Sequence, residues 1–168
     1  FHGNMNYLPN IVCACYIAGS IMPELNRRGK KVTFLVSGSS PGKRVQALAQ
    51  LPDITVTGWV DDVRSSYAAS NIFIAPLQMG TGIQNKILEA MAMGLPCVVS
   101  PLAANALGLI HNEHVLIGDS TEEYCNHIEL LWKDPVLKNK LVNNALAYTR
   151  TSFRWDDETE KMMRYIAN

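Results

Sequence analysis

Charge is what this chain has least of. Only 18% of its 168 residues are Asp, Glu, Lys or Arg, and 15 acidic side chains cancel 15 basic ones. Nucleic acid and anionic membranes select a basic excess or a clustered basic stripe, so neither partner is expected. The longest basic cluster, Arg27, Arg28, Lys30 and Lys31, reads as a solvated helix end. Long apolar runs are missing too. None approaches the ~18 residues that span a bilayer, so no transmembrane segment is expected. The four cysteines form neither a CxxC pair nor a zinc spacing, so reduced core thiols in a cytoplasmic protein are expected, without a metal. A P-loop is excluded, because Gly38-Ser39-Ser40-Pro41-Gly42-Lys43-Arg44 has three residues between its glycines and Arg44 at the metal-binding position. A dinucleotide fingerprint is absent as well, since Gly80-Thr81-Gly82 is followed by Asn85 where a third glycine belongs.

What is present is apolar and alternating. The hydrophobic share of 48% excludes disorder, and the length suits one domain with a sizeable core. Short β-type runs alternate with helical ones, the pattern of a parallel α/β sheet. Strands are expected at 31–37, 54–58, 71–75, 96–100 and 114–117, with residues 1–3 as the stump of an earlier strand. The fold class is therefore α/β, a Rossmann-like three-layer α/β/α arrangement on a parallel sheet of about six strands. The first long helix has Pro9 near its start and Gly29 past its end, and Pro23 should kink or divide it. A helix follows at 43–50, another from Asp61 or Asp62 to about 69. Past Gly118 the chain should be helical, opening at Ser120 and at Asp134, with a last helix at 155–166. The acidic residues Asp156, Asp157, Glu158 and Glu160 read as helix N-terminal charges. His111 and His114 read as loop histidines, not metal ligands.

Chemistry concentrates between residues 76 and 96, where a buried strand leads through a Gly-rich loop into a helix. Open α/β sheets bind their ligands at that end of a strand. Thr81-x-x-Gln84 is a capping-box pattern that would start the helix at Gly82 or Ile83. Ile83, Ile87, Leu88 and Met91 would then form its apolar stripe. Lys86 falls in the first turn, where a cation opposes the helix dipole unless a bound anion reverses the penalty. Free N–H groups near Gly80 and Gly82, the dipole and the Lys86 ammonium together suit phosphates. Glu89 suits the two hydroxyls of a ribose. A surface ion pair between Lys86 and Glu89 is the plainer alternative.

Gly80-x-Gly82-Ile83-x-x-Lys86-x-x-Glu89-Ala90-Met91-Ala92-x-Gly94-x-Pro96 resembles the donor-binding segment of family 4 glycosyltransferases, also called group 1 glycosyl transferases, which have the GT-B fold. Phe1-x-Gly3-Asn4-Met5-x-Tyr7-x-Pro9-Asn10 is similar to the first strand and loop of the C-terminal domain in a bacterial branch. Val56-Thr57-Gly58-Trp59-Val60-Asp61-Asp62 resembles its nucleotide-base region, and Ser152-Phe153-x-Trp155 its closing segment. The resemblance implies one half of a GT-B enzyme, with residues 1–168 as the C-terminal domain and an acceptor-binding N-terminal domain elsewhere. It implies retaining transfer of a hexosyl group from a UDP-, GDP- or ADP-type sugar, without a cofactor or active-site metal. It also implies cell-surface polysaccharide biosynthesis in the cytoplasm, with membrane association in the full-length protein. This domain alone is expected to bind nucleotide without transferring sugar.

By position Glu89 matches the family glutamate that holds the donor ribose. The partner glutamate seven intervening residues earlier is replaced by Thr81, whose hydroxyl cannot accept bidentately. Asn4 and Asn10 stand where many members carry a basic diphosphate clamp, so Lys86 is expected to supply that charge. The donor set is Gly80, Thr81, Gly82, Ile83, Lys86 and Glu89, joined by Asn4, Gly38 and Val60. A nucleotide-sugar epimerase of the same fold, or a non-catalytic nucleotide-binding domain, remains as an alternative.

Overall fold

The structure is a computed structural model that describes residues 1–80 and 82–152. Thr81, the closing segment at Phe153 and Trp155, the helix expected at 155–166 and its acidic cluster lie outside the described residues. In chain order the elements are α1 (Leu8–Tyr16), a π-helical segment (Ile17–Ile21), α2 (Met22–Arg27), β1 (Phe34–Ser37), α3 (Lys43–Gln46) with a 3-10 extension (Ala47–Gln50), and β2 (Ile54–Gly58). They continue with α4 (Arg64–Ala68), β3 (Phe73–Ala75), α5 (Asn85–Ala92), β4 (Cys97–Val99), α6 (Pro101–Ala106), β5 (Leu116–Ile117), α7 (Thr121–Lys133) and α8 (Pro135–Ser152).

Every strand pairing is parallel, in the orders β1-β2 and β3-β4-β5. The described residues thus hold five strands in two sheets, not about six in one. The expected stump forms an isolated parallel bridge, His2 with Ser37. Around it the Ser37 N–H donates to the Phe1 carbonyl (3.1 Å) and the Gly3 N–H to the Ser37 carbonyl (3.1 Å). On its other side Phe1 stacks on Phe73 of β3, with ring centroids 6.4 Å apart. Residues 1–3 therefore sit where the two sheets meet. Chain order runs outward from this seam in both directions, which makes it the switch point where α/β folds open a ligand crevice.

β3 and β4 are buried at every residue, as expected of strands covered on both faces. The core joins Val36, Val98, Val99 and Leu116 to Cys13, Ile17, Ile21 and Leu25 of the first helix and to Ile87 and Met91 of α5. Cys13, Cys97 and Cys125 are buried free thiols.

Pro23 explains the π-helical segment. A proline lacks the N–H for an α-type bond and its ring clashes with the carbonyl four residues back. Widening the preceding turn at Ile17–Ile21 lets the helix continue through Pro23 without a break. The resulting 20-residue helix Leu8–Arg27 is long and apolar enough to cross a membrane by size and composition alone. Half of its most apolar window is buried inside the protein, as befits a core helix.

The basic cluster is likewise not a merely solvated end. Glu24 holds Arg27 (2.7 Å) and Arg28 (2.7 Å), and Arg28 reaches Glu129 on α7 (3.2 Å), tying α2 to α7.

Candidate functional site

The helix that carries Lys86 and Glu89 begins later than the capping-box pattern predicts. α5 starts at Asn85 with Gln84 at its cap, and no side chain caps it. Gly82, at φ +82°, lies in the left-handed region, which cannot belong to a right-handed helix. Lys86 is accordingly the second residue of α5, where the dipole opposes its charge most. The apolar face moves with the start. Ile87, Ala90 and Met91 are buried, whereas Ile83 is 60% exposed and leaves the expected stripe.

Lys86 turns back across the seam between the sheets. Its ammonium donates to Asn10 Oδ1 and lies 4.7 Å from the centroid of the Phe1 ring. Asn10 is buried, and its amide in turn donates to the Asn4 carbonyl (2.9 Å). Burial lowers the Lys86 pKa to about 8, against the raising influence of Cys13 and Glu89. The half-buried ammonium thus has a neutral amide, not a carboxylate, as its hydrogen-bond partner.

One close main-chain approach shapes this end of the seam. A Cβ on Gly38 would lie 1.8 Å from the Gly3 carbonyl oxygen, and Gly38 takes φ +133°. The end of β1 and the residue 1–3 segment thus touch main chain to main chain, which glycine alone permits. A Cβ on Gly3 would stand 3.0 Å from Lys86 Nζ. On the far side Gly80 packs against Pro9, 3.6 Å away by the same measure.

Glu89 is exposed one turn further along α5. One of its oxygens, Oε2, accepts from the Tyr67 hydroxyl (2.7 Å), which also lies 3.2 Å from the Lys86 carbonyl. Tyr67 comes from α4, is 3% exposed, and packs edge-on against His2 at 6.0 Å. Burial, then Glu89, raises its phenol pKa, so the group remains a donor. Burial lowers the pKa of His2, opposed by Glu89 and reinforced by Lys86.

Of the sequence-predicted set, Gly3-adjacent Asn4, Gly38 and Lys86 meet directly around Gly3 and Asn10, with Gly80 at the edge and Glu89 alongside. Ile83 and Val60 are not part of that cluster among the described residues. Val60 is half-buried on the loop after β2, which leads into α4 and Tyr67. Sequence reasoning missed Tyr67. It reads as one more apolar position of an amphipathic helix, and only the fold brings its hydroxyl to a carboxylate 22 residues away.

No group of three or more metal-ligating side chains occurs among the described residues. His111 Nδ1 accepts from the Ile117 N–H (2.9 Å) and His114 Nδ1 from the Ile110 N–H (3.2 Å), roles that brace a loop. A cavity of about 390 Å³, bordered by Thr33, Ile72 and Trp132, lies at the opposite ends of the strands.

Residues 1–134 match the family Glycosyl transferases group 1. A galactosyltransferase of Escherichia coli, described as UDP-Gal:alpha-D-GlcNAc-diphosphoundecaprenol alpha-1,3-galactosyltransferase, is 30% identical over 100 residues, covering 54% of this chain and 25% of that protein. Matches to curated relatives span about a quarter of their length (26% and 25%). Among solved structures, HepE of Anabaena, crystallised with UDP and glucose, superposes with TM-score 0.74 at 17% identity, over 89% of this chain and 44% of that one. The C-terminal domain of the group 1 glycosyl transferase LpcC of Francisella tularensis superposes with TM-score 0.69 at 18% identity, over 92% of this chain and 85% of that one. The parallel sheets, the crevice at their seam and the match over residues 1–134 lead to one assignment: this chain has a GT-B-type α/β fold and belongs to the group 1 glycosyl transferases.

Proposed function

We propose that this chain is the donor-binding domain of a retaining hexosyltransferase and holds a nucleoside-diphosphate sugar in the crevice at the start of α5. The observation that carries this reading is the Lys86 ammonium, half-buried at the uncapped N-terminus of α5 and facing the sheet seam. Sugar transfer leaves negative charge on the departing diphosphate, and preorganised N–H groups with a cation stabilise such charge. Glu89, exposed and one turn away, receives the ribose hydroxyls. The loop at Val60 receives the base, and the Gly80–Gly82 loop flanks the diphosphate and sugar.

A second, acceptor-binding domain closes over the crevice in this reading. The match to LpcC, whose solved C-terminal domain is covered over 85% of its length, supports the C-terminal position of this chain. The E. coli relative, whose name specifies UDP-Gal, and the UDP complex of HepE make UDP the first probe, with GDP and ADP beside it.

The test is calorimetric titration of the chain with each nucleoside diphosphate and its parent nucleoside. Lys86→Ala is expected to weaken diphosphate binding about tenfold or more, the scale of a lost charge-assisted contact. Nucleoside binding should change less than about twofold. Equal loss of both ligands would overturn the assigned role of Lys86.

A further inference from the structure

Glu89 has one carboxylate oxygen engaged inside the protein, and the group that engages it has no explanation in packing alone. A phenylalanine at position 67 would fill the same space, touching His2 edge-on (6.0 Å) and Phe73 (5.8 Å) as Tyr67 does. The hydroxyl adds a 2.7 Å bond to Glu89 Oε2 and a 3.2 Å bond to the Lys86 carbonyl. Both acceptors belong to α5, 19 and 22 residues on from the donor. Both lie in the segment that presents Lys86 and Glu89 to the crevice.

We infer that Tyr67 is a positioning residue for ribose recognition: its hydroxyl fixes the Glu89 carboxylate so that Oε1 faces the crevice for the hydroxyls of a nucleotide ribose. An exposed glutamate free to rotate loses side-chain entropy when it binds a diol, and a carboxylate already held by one donor loses less. Tyr67 suits this work because its ring is immobilised by burial on both sides. The same residue also joins the base side of the site to the phosphate side. It lies on α4, entered directly from the loop of Val60, and it bonds to the carbonyl of Lys86. A base seated on that loop therefore acts on a helix already connected to Glu89.

This inference rests on the donor-binding reading above, and the experiment separates the two. Wild type, Tyr67→Phe, Glu89→Gln and the double variant are titrated with UDP and with a UDP analogue lacking both ribose hydroxyls, and thermal unfolding of each is recorded. Tyr67→Phe is expected to weaken UDP binding about five- to tenfold, the scale of a hydrogen bond to a charged group acting at one remove. It should change binding of the dideoxy analogue by less than about twofold, and add less than about twofold to the loss already caused by Glu89→Gln. A purely structural tyrosine would weaken both ligands alike, or neither, and that result would overturn the positioning role while leaving the donor site intact. A wild-type chain that binds neither UDP nor the analogue would overturn the donor reading for UDP and this inference with it. Unfolding midpoints that fall together with affinity for both ligands would also count against positioning.

Discussion

Lys86 is a residue whose charge the fold tolerates at a cost. Burial lowers its folded-state pKa to about 8 from an ordinary 10.5. The folded protein thus releases this proton before the unfolded chain does. Between pH about 8 and about 10.5 the unfolded state binds more protons, so stability gains with pH across that window. A bound diphosphate reverses the preference by stabilising the ammonium. Affinity for a nucleoside diphosphate should therefore fall as pH rises through about 8, well above the terminal phosphate's second pKa of about 6. The Lys86→Ala variant should show a flat profile over the same range. Calorimetry at several pH values between 7 and 9.5 (roughly the span over which the ammonium deprotonates) checks this. A wild-type affinity that does not change there would remove the ammonium from the binding step. The place of Lys86 in the first turn of α5 was legible in the sequence, because the glycine loop, the helical run after it and the charge are local features. Its bond to Asn10 was not, since 76 residues separate the two.

At the scale of the element, local chemistry was readable wherever a side chain caps its own helix. Ser120 accepts from the Glu123 N–H (3.2 Å) while Glu123 accepts from the Asp119 N–H (2.8 Å), and Asp134 accepts from the Leu137 N–H (2.8 Å). These opened α7 and α8 where the sequence placed them. Thr81-x-x-Gln84 has the same pattern, yet α5 starts at Asn85, because backbone conformation at Gly82 overrides it. Strand ends were less legible. Residues 31–33 have strand composition, but the ladder begins at Phe34, opposite Ile54, where the partner strand begins. β5 is similarly shortened, since the Asn112 N–H bonds the Val115 carbonyl (2.9 Å) and the His114 N–H the Ile110 carbonyl (3.0 Å) in a preceding turn. α5 in turn depends on α8 packed behind it, whose inward face is Leu141 and Ala145. Leu141 is fully buried. Leu141→Ala should cost about 2–5 kcal/mol in urea unfolding, the range for a leucine truncated in a core. A loss below about 1 kcal/mol would show that α8 adds little to the support of α5.

For the whole molecule, the alternation of strand and helix disclosed a parallel α/β fold, and the family motif disclosed which one. The seam between the two sheets was not legible, because residues 1–3 carry one bridge and reveal their position through Phe1 on Phe73 and Gly3 against Gly38. That seam gathers Asn10, Lys86, Tyr67 and Glu89 from α1, α5 and α4 onto one crevice. The neutral net charge of the chain fits the proposed site, which would meet phosphate at one helix end and not over a basic face. The most direct test of the account is a crystal structure of this chain with UDP or whichever of GDP and ADP binds in its place. The account predicts a diphosphate on the first N–H groups of α5 and the Lys86 ammonium, with the ribose on Glu89. A nucleotide seated instead in the cavity bordered by Thr33, Ile72 and Trp132, at the other ends of the strands, would contradict it.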